Sequence, residues 1–141
     1  MMSLSMNNPM LKTKTVEVND DVDVAYAALA AKNYAKEIGF STASQYMIAT
    51  AVSELARNMF NYAKKGIISL SFCNEGSKSG IQIVAEDFGP GIPDIDKAME
   101  DNFSTGGTMG VGLPGTKRLM DYFKIESQVG VGTKIVIRKW N

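Results

Sequence analysis

The spacing of apolar residues predicts two long helices in the first half of the chain. Between Thr42 and Lys64 apolar side chains recur at four-and-three spacing, which indicates a helix with one buried face. That face comprises Ile48, Val52, Leu55, Met59 and Tyr62. A shorter helix is predicted from about Asp21 to Ile38. The expected N-caps are Asp20 or Asp21 and Ser41 or Thr42, and the expected stops are Gly39 and Gly66.

Alternating and continuous apolar runs predict five strands around these helices. The runs lie near Thr13 to Val18, Gly66 to Asn74, Gly80 to Asp87, Lys124 to Gln128 and Thr133 to Trp140. The turn-prone residues 75–79 join the second and third runs as a hairpin. Residues 116–123 are expected to form one more amphipathic helix. Because strands and helices segregate along the chain, we predict an α+β two-layer sandwich, with helices on one face of a mixed, mostly antiparallel sheet.

Composition narrows the class of protein. The chain has 141 residues and 45% hydrophobic content, enough for one domain over residues 13–141 after a flexible tail of residues 1–12. Lysine plus arginine equals aspartate plus glutamate at 15 each, so no positive field favours nucleic acid or a membrane surface. There is no histidine, which excludes a Ser-His-Asp triad, histidine autophosphorylation within the chain and an imidazole zinc ligand.

The same features predict a cytoplasmic location. Apolar runs fall short of the roughly 20 residues that span a bilayer. The residues at the start lack the basic and long apolar regions of a signal peptide. One cysteine, Cys73, excludes an internal disulfide and suits a reducing compartment.

Three polar residues of the long predicted helix share one stripe. Glu54, Asn58 and Asn61 are four and three residues apart, which places them together beside the apolar face. Carboxylate and carboxamide oxygens suit Mg²⁺, and Asn58 is the candidate direct ligand. Glu54, one turn earlier, could act as a general base on an attacking hydroxyl or water. The alternative is that Glu54 is an ordinary solvated residue of a helix.

A carboxylate follows the third predicted strand and precedes a tight turn. Asp87 ends the strand, and Gly89, Pro90 and Gly91 force the chain to turn with its backbone open to close approach. The Asp87 carboxylate could accept a hydrogen bond from an exocyclic amine such as that of adenine. The alternative is that Asp87 only helps to form the turn.

A glycine-rich turn precedes the last predicted helix. Gly110, Val111, Gly112 and Leu113 lie in this turn, and backbone amides at such a helix start bind phosphate. The small polar residues 104–108 could close over the ligand as a lid. A dinucleotide-binding fold is disfavoured because no hydrophobic strand precedes the turn, and the phosphate-loop motif G-x-x-x-x-G-K-[ST] is absent.

Taken in order, these segments resemble the motifs of the GHKL ATPase and kinase superfamily. Its N box, G1 box and G2 box match Glu54 to Asn58, Asp87 to Gly91 and Gly110 to Gly115. The longer segments 53–58, 85–94 and 112–121 look like the small bacterial switch kinases of the RsbT type, which are related to anti-sigma factor kinases. The resemblance covers about residues 13 to 140 and implies the Bergerat ATP-binding fold.

The resemblance also implies roles for individual residues and a class of substrate. Glu54 would be the base, Asn58 the magnesium ligand, Asp87 the adenine reader, and residues 110–113 the phosphate cradle. Thr133, in a glycine segment that resembles the last family motif, would lie near the adenine. The implied activity is phosphorylation of serine or threonine in a small STAS-domain antagonist protein, with ATP and Mg²⁺ as cofactors.

The chain differs from related anti-sigma kinases in the basic side chains that could contact the phosphates of ATP. An arginine is expected from the lid of such relatives, but residues 103–109 contain none. Lys117 or Arg118 could reach the γ-phosphate or grip a protein substrate, and Arg118 is the preferred candidate. The alternative is a solvated basic helix face.

The sequence is compatible with three classes of function. The first is a serine/threonine protein kinase of a stress-response partner-switching pathway. The second is an ATP-dependent binding module of the anti-sigma type, which holds a sigma factor. The third is an ATP-gated activator that docks a PP2C-type phosphatase, as a second activity beside the kinase. The docking residues would be those of the lid and the acidic residues Asp94, Asp96, Glu100 and Asp101. A sheet edge or the first helix could also pair two copies as a homodimer.

Overall fold

The computed structural model describes residues 12–100 and 112–141. Most of the predicted tail, the predicted lid, and Gly110 and Val111 of the predicted phosphate cradle lie outside these residues. The elements are strand β1 (Lys14–Val18), helices α1 (Asp21–Ile38) and α2 (Thr42–Ala63), strands β2 (Gly66–Glu75) and β3 (Lys78–Asp87), the short helix α3 (Ile95–Ala98), helix α4 (Gly112–Leu119), and strands β4 (Tyr122–Gln128) and β5 (Gly132–Trp140).

The five strands form one sheet in the order β1-β2-β3-β5-β4. We expected a mixed, mostly antiparallel sheet; every pairing between the described strands is antiparallel. The register of β3 and β5 sets Asp87 opposite Thr133, and the register of β4 and β5 sets Ser127 opposite Thr133. Three polar residues therefore meet at one end of the sheet.

One face of the sheet carries the core. Strand residues alternate between buried and more exposed, and the buried ones, such as Ile83 and Ile137, cluster with apolar residues of α1 and α2. Ile48, Val52, Leu55 and Met59 form the buried face of α2, as predicted. The α+β sandwich with helices on one face is confirmed.

The helix ends follow the local signals with one exception. Asp20 and Ser41 accept hydrogen bonds from Asp23 N and Ser44 N as N-caps, and Gly39 ends α1 in the left-handed conformation. Helix α2 ends earlier than Gly66, at a left-handed Lys64 with φ of 71°. The start of α2 thus follows its sequence signal, whereas its end does not, and the helix carries Glu54 and Asn58.

The last predicted helix is placed wrongly. Helix α4 ends at Leu119, and Phe123 lies in β4. Asp121 closes this corner, because its carboxylate accepts a hydrogen bond from Trp140 N at 2.7 Å and its own N–H donates to the Arg138 carbonyl at 2.9 Å. Pairing with β5 therefore decides the conformation of residues whose apolar spacing fits a helix equally well.

Candidate active site

A cavity of about 520 Å³ opens between α2, the ends of β3 and β5, and the segments that follow β3. This volume lies within the range typical of small-molecule sites. Its apolar walls include Leu55, Met59, Ala85, Ile92 and Ile135. Its polar lining includes Glu54, Asn58, Asp87, Lys97 and Thr133. The cavity can thus hold a flat apolar ring and polar groups attached to it.

Glu54 lies on the α2 wall and is held by an ion pair. Its side chain is buried, and Oε1 accepts a hydrogen bond from Nη1 of Arg57 at 3.1 Å. Arg57 also donates to Ser53 Oγ at 3.3 Å, so the guanidinium that contacts the carboxylate is itself held in place. A fixed carboxylate at a cavity wall can receive a proton without first reorganising.

Asn58 lines the cavity one turn after Glu54 and is half-buried. Among the described residues no cluster of three or more acidic, cysteine or histidine side chains could hold a metal ion. The donor set on this wall is therefore one carboxylate and one carboxamide oxygen. That set fits Mg²⁺, which commonly takes one or two protein ligands and completes its shell with water and substrate phosphates.

Asp87 lines the cavity near the C-terminal end of α2, because Gly89, two residues later, packs against Ala63, whereas Glu54 lies about two and a half turns earlier on that helix. Its Oδ1 accepts a hydrogen bond from Gly89 N at 3.0 Å, which fixes the carboxylate at the start of the turn. Gly89 does not line the cavity, whereas Gly91 does. A side chain on Gly89 would overlap Ala63, so this glycine is needed for the turn to pack against α2. Asp87 thus keeps its second carboxylate oxygen for a ligand.

Thr133 faces the same end and contacts Ser127. The two hydroxyl oxygens are 2.8 Å apart, and Ser127 Oγ also accepts a hydrogen bond from Ile92 N at 2.7 Å. The segment between β4 and β5 packs tightly on the turn after Asp87, because Gly130 N donates to Pro90 O at 2.9 Å. Hydrogen bonds therefore join the turn after Asp87 to β4 and to the segment between β4 and β5 at this end of the cavity.

The start of α4 closes a third side. Gly112 and Leu113 line the cavity, and Gly112 adopts a φ of 66°. Thr116 Oγ1 donates to the Gly112 carbonyl at 2.9 Å and is fully buried, which fixes this first turn. Of the predicted phosphate cradle, these are the two residues that the structure describes, and they border the cavity as expected.

Besides Gly89, two predicted site residues do not line the cavity. Asn61 is exposed on the last turn of α2, and Arg118 is exposed on the last turn of α4. Both lie on elements that border the cavity, but other residues of those elements, such as Tyr62 of α2 and Leu113 of α4, form the lining. The prediction that either contacts a nucleotide is not tested by this geometry.

Four residues at or beside the cavity were not predicted to belong to the site. Lys97 is the one basic side chain that lines the cavity within residues 12–100 and 112–141, and it forms no ion pair there. Tyr62, expected in the core, is 40% exposed and lines the cavity; partial burial raises the pKa of its hydroxyl. Ser127 contacts Ile92 only because of the fold. Arg57, by contrast, contacts Glu54 and Ser53 at spacings of three and four residues on one helix. For Lys97, the local signal in the sequence was that a lysine follows the glycine turn of residues 89–91.

The match to known families agrees with this geometry. The profile of the histidine kinase-like ATPase domain matches residues 18–139. The chain belongs to this family. The resemblance drawn from the sequence is therefore confirmed.

Individual relatives indicate which class of enzyme this family member is. This family member is 51% identical over 125 residues to the serine/threonine-protein kinase RsbT of Bacillus subtilis, covering 89% of this chain and 94% of that one. It is 36% identical over 99 residues to an anti-sigma F factor of a Thermoanaerobacter species, covering 66% of this chain and 68% of that one. The chain is thus an ATP-using protein kinase of the serine/threonine class.

A solved structure shows the same fold. The RsbU and RsbW domains of a Mycobacterium tuberculosis protein align with a TM-score of 0.65 at 13% identity. The alignment covers 91% of this kinase-like ATPase chain, which spans 32% of that longer protein.

Within the described residues, no helix is long and apolar enough to cross a membrane.

Proposed function

We propose that this kinase transfers the γ-phosphate of Mg-ATP to a serine or threonine hydroxyl of a small STAS-domain protein in a partner-switching pathway of the stress response. The observation that carries the proposal is one cavity with a buried, oriented carboxylate at one end and a second carboxylate beside a threonine hydroxyl at the other. The high identity to RsbT supports a protein substrate of the kind that switch kinases use.

The purine end of the site is assigned to Asp87 and Thr133. Asp87 accepts a hydrogen bond from the exocyclic amino group, while Leu55, Met59 and Ile135 contact the ring faces. Gly91 borders the same end. This placement puts the phosphates toward the start of α4, where backbone amides of residues 112 and 113 can donate to phosphate oxygens.

The catalytic end is assigned to Glu54 and Asn58. Glu54 accepts the proton of the incoming hydroxyl, and Arg57 keeps the carboxylate in one orientation through its 3.1 Å hydrogen bond. Asn58 supplies a ligand for magnesium, which when bound neutralises phosphate charge during transfer. Lys97, exposed at the cavity rim, supplies a further positive charge for the phosphates.

The partner surfaces remain separate proposals. The acidic residues after the turn are proposed to dock a phosphatase of the PP2C type. Asp94 also has a structural role there, because its Oδ1 accepts a hydrogen bond from Lys97 N at 3.0 Å as the N-cap of α3. Asp96 and Glu100 are exposed and available to a partner. We propose that the protein works in the cytoplasm, where such pathways operate.

The test is transfer of labelled γ-phosphate from Mg-ATP to a purified STAS-domain protein of the same genome. Glu54→Gln should slow transfer by about 10²- to 10⁴-fold, the usual contribution of a general base, and leave ATP affinity within a few fold. Glutamine retains an acceptor for Arg57, so the fold should be unaffected. Glu37→Gln, at an exposed position of α1, is the matched control and should behave as wild type.

Two outcomes would contradict this assignment. Loss of ATP binding in Glu54→Gln would show that the carboxylate is needed to bind the nucleotide, which contradicts its assignment as a general base. Absence of transfer by wild type, despite measurable ATP binding, would favour the ATP-dependent binding module that the anti-sigma F relatives represent. Its partner would then be sought among sigma factors by nucleotide-dependent co-purification.

A further inference from the structure

The Ser127 hydroxyl joins three segments at the purine end of the cavity. It accepts a hydrogen bond from Ile92 N at 2.7 Å, it lies 3.1 Å from the Gly132 carbonyl, and it lies 2.8 Å from Thr133 Oγ1. These partners belong to the turn after Asp87 and to the start of β5. Ser127 does not line the cavity.

Counting protons assigns the direction of each bond. A serine hydroxyl has one proton and two lone pairs. The bond from Ile92 N uses one lone pair, and the Gly132 carbonyl can only accept, so it takes the Ser127 proton. The remaining lone pair must then receive the proton of Thr133. This arrangement satisfies all three contacts, whereas donation from Ser127 to Thr133 would leave the Gly132 contact without a proton.

The direction of these bonds determines what Thr133 offers to a ligand. Its proton is used toward Ser127, so Thr133 Oγ1 presents lone pairs to the cavity. Asp87, its direct partner across the β3–β5 ladder, presents carboxylate lone pairs beside it. Two adjacent acceptors match the two hydrogens of one amino group and oppose a carbonyl oxygen at the same place.

We propose that Ser127 is a positioning residue that holds Thr133 as a hydrogen-bond acceptor and thereby makes the site prefer 6-aminopurine over 6-oxopurine nucleotides. The proposal rests on the placement of the purine at Asp87 and Thr133 given above. It extends that placement from the groups that contact the base to a residue that does not. Ser127 acts on base selectivity and leaves the catalytic end unaltered.

The test measures the dissociation constants of ATP and ITP, which differ at the 6-position, by competition with a fluorescent nucleotide and without any protein substrate. In Ser127→Ala the Thr133 hydroxyl is released and can donate to a carbonyl. The ratio of the ITP to the ATP dissociation constant should therefore fall roughly fivefold, the effect of one hydrogen bond. Ser127→Thr retains the hydroxyl and should restore the ratio. Ser69→Ala, in β2 between core residues that face the other way, should leave it unchanged.

A second background separates positioning from general support of the fold. Thr133→Val removes the hydroxyl on which Ser127 acts, so adding Ser127→Ala should change the ratio no further. A purely structural role would weaken ATP and ITP binding equally and lower the melting temperature at a constant ratio, and that result would overturn the proposal. Wild type that binds neither nucleotide would instead contradict the proposed ATP site itself. Wild type that binds both equally would overturn the selectivity alone.

Discussion

Gly132 offers a sharp test of how the purine end is built. It adopts a φ of 145°, and a Cβ at this position would overlap the Asp87 carbonyl oxygen and lie 2.9 Å from Cα of Phe88. Ordinary carbon contacts are about 3.5 to 4.0 Å, so relieving the Phe88 contact alone requires a shift of roughly 0.5 to 1 Å, and the closer overlap with the Asp87 carbonyl oxygen requires more. The displaced residues are Asp87 and Thr133, which are paired across this ladder.

The expected cost follows from two effects. Backbone strain contributes about 1 to 3 kcal/mol, and overpacking contributes a similar amount. Taking about 4 kcal/mol in total, and an unfolding entropy near 0.3 kcal/mol/K for a chain of this length, the melting temperature should fall by roughly 13 °C. ATP affinity should fall as well, because the pair that is proposed to hold the amino group is separated.

Gly130→Ala is the matched control. Gly130 also has a positive φ, 82°, but a Cβ there would meet nothing within 4 Å. Strain alone should cost about 1 kcal/mol, or roughly 3 °C. Thermal unfolding followed by circular dichroism, with nucleotide titration of both variants, measures the difference. Equal losses of stability in the two variants would refute the argument that close packing on Asp87 requires Gly132.

Two further predictions concern the ends of the nucleotide. Lys97→Ala should weaken ATP binding roughly fivefold, as expected for a solvated charge near phosphate, and leave AMP binding unchanged; Lys36→Ala, exposed on α1, is the control. Equal loss for ATP and AMP would exclude a phosphate contact. Asp87→Asn should keep the hydrogen bond to Gly89 but weaken ATP by about tenfold or more, because the amide loses charge and one acceptor. Unchanged ATP affinity in this variant would rule out amine recognition by Asp87.

The sequence determined the parts of the site that depend on local spacing. Glu54 and Asn58 are four residues apart on a capped helix, so helix geometry alone brings them to one wall. Asp87 stands at the end of an apolar run before Gly89 and Gly91, which is enough to place a carboxylate at a sheet edge. The same reasoning gave the two long helices and the α+β class.

Only the tertiary structure decided contacts between segments far apart in the chain. Ser127 meets Ile92 across 35 residues because the order of strands sets β5 between β3 and β4. Phe123 belongs to β4 rather than to a helix because it pairs with Ile137 in the sheet and packs, partly buried, against the core. Apolar spacing cannot distinguish the two states. Lys97 reaches the cavity because the turn after Asp87 folds back over α2. The spacing of residues in the sequence does not indicate which of these distant segments come into contact, because strand pairing and side-chain packing determine that.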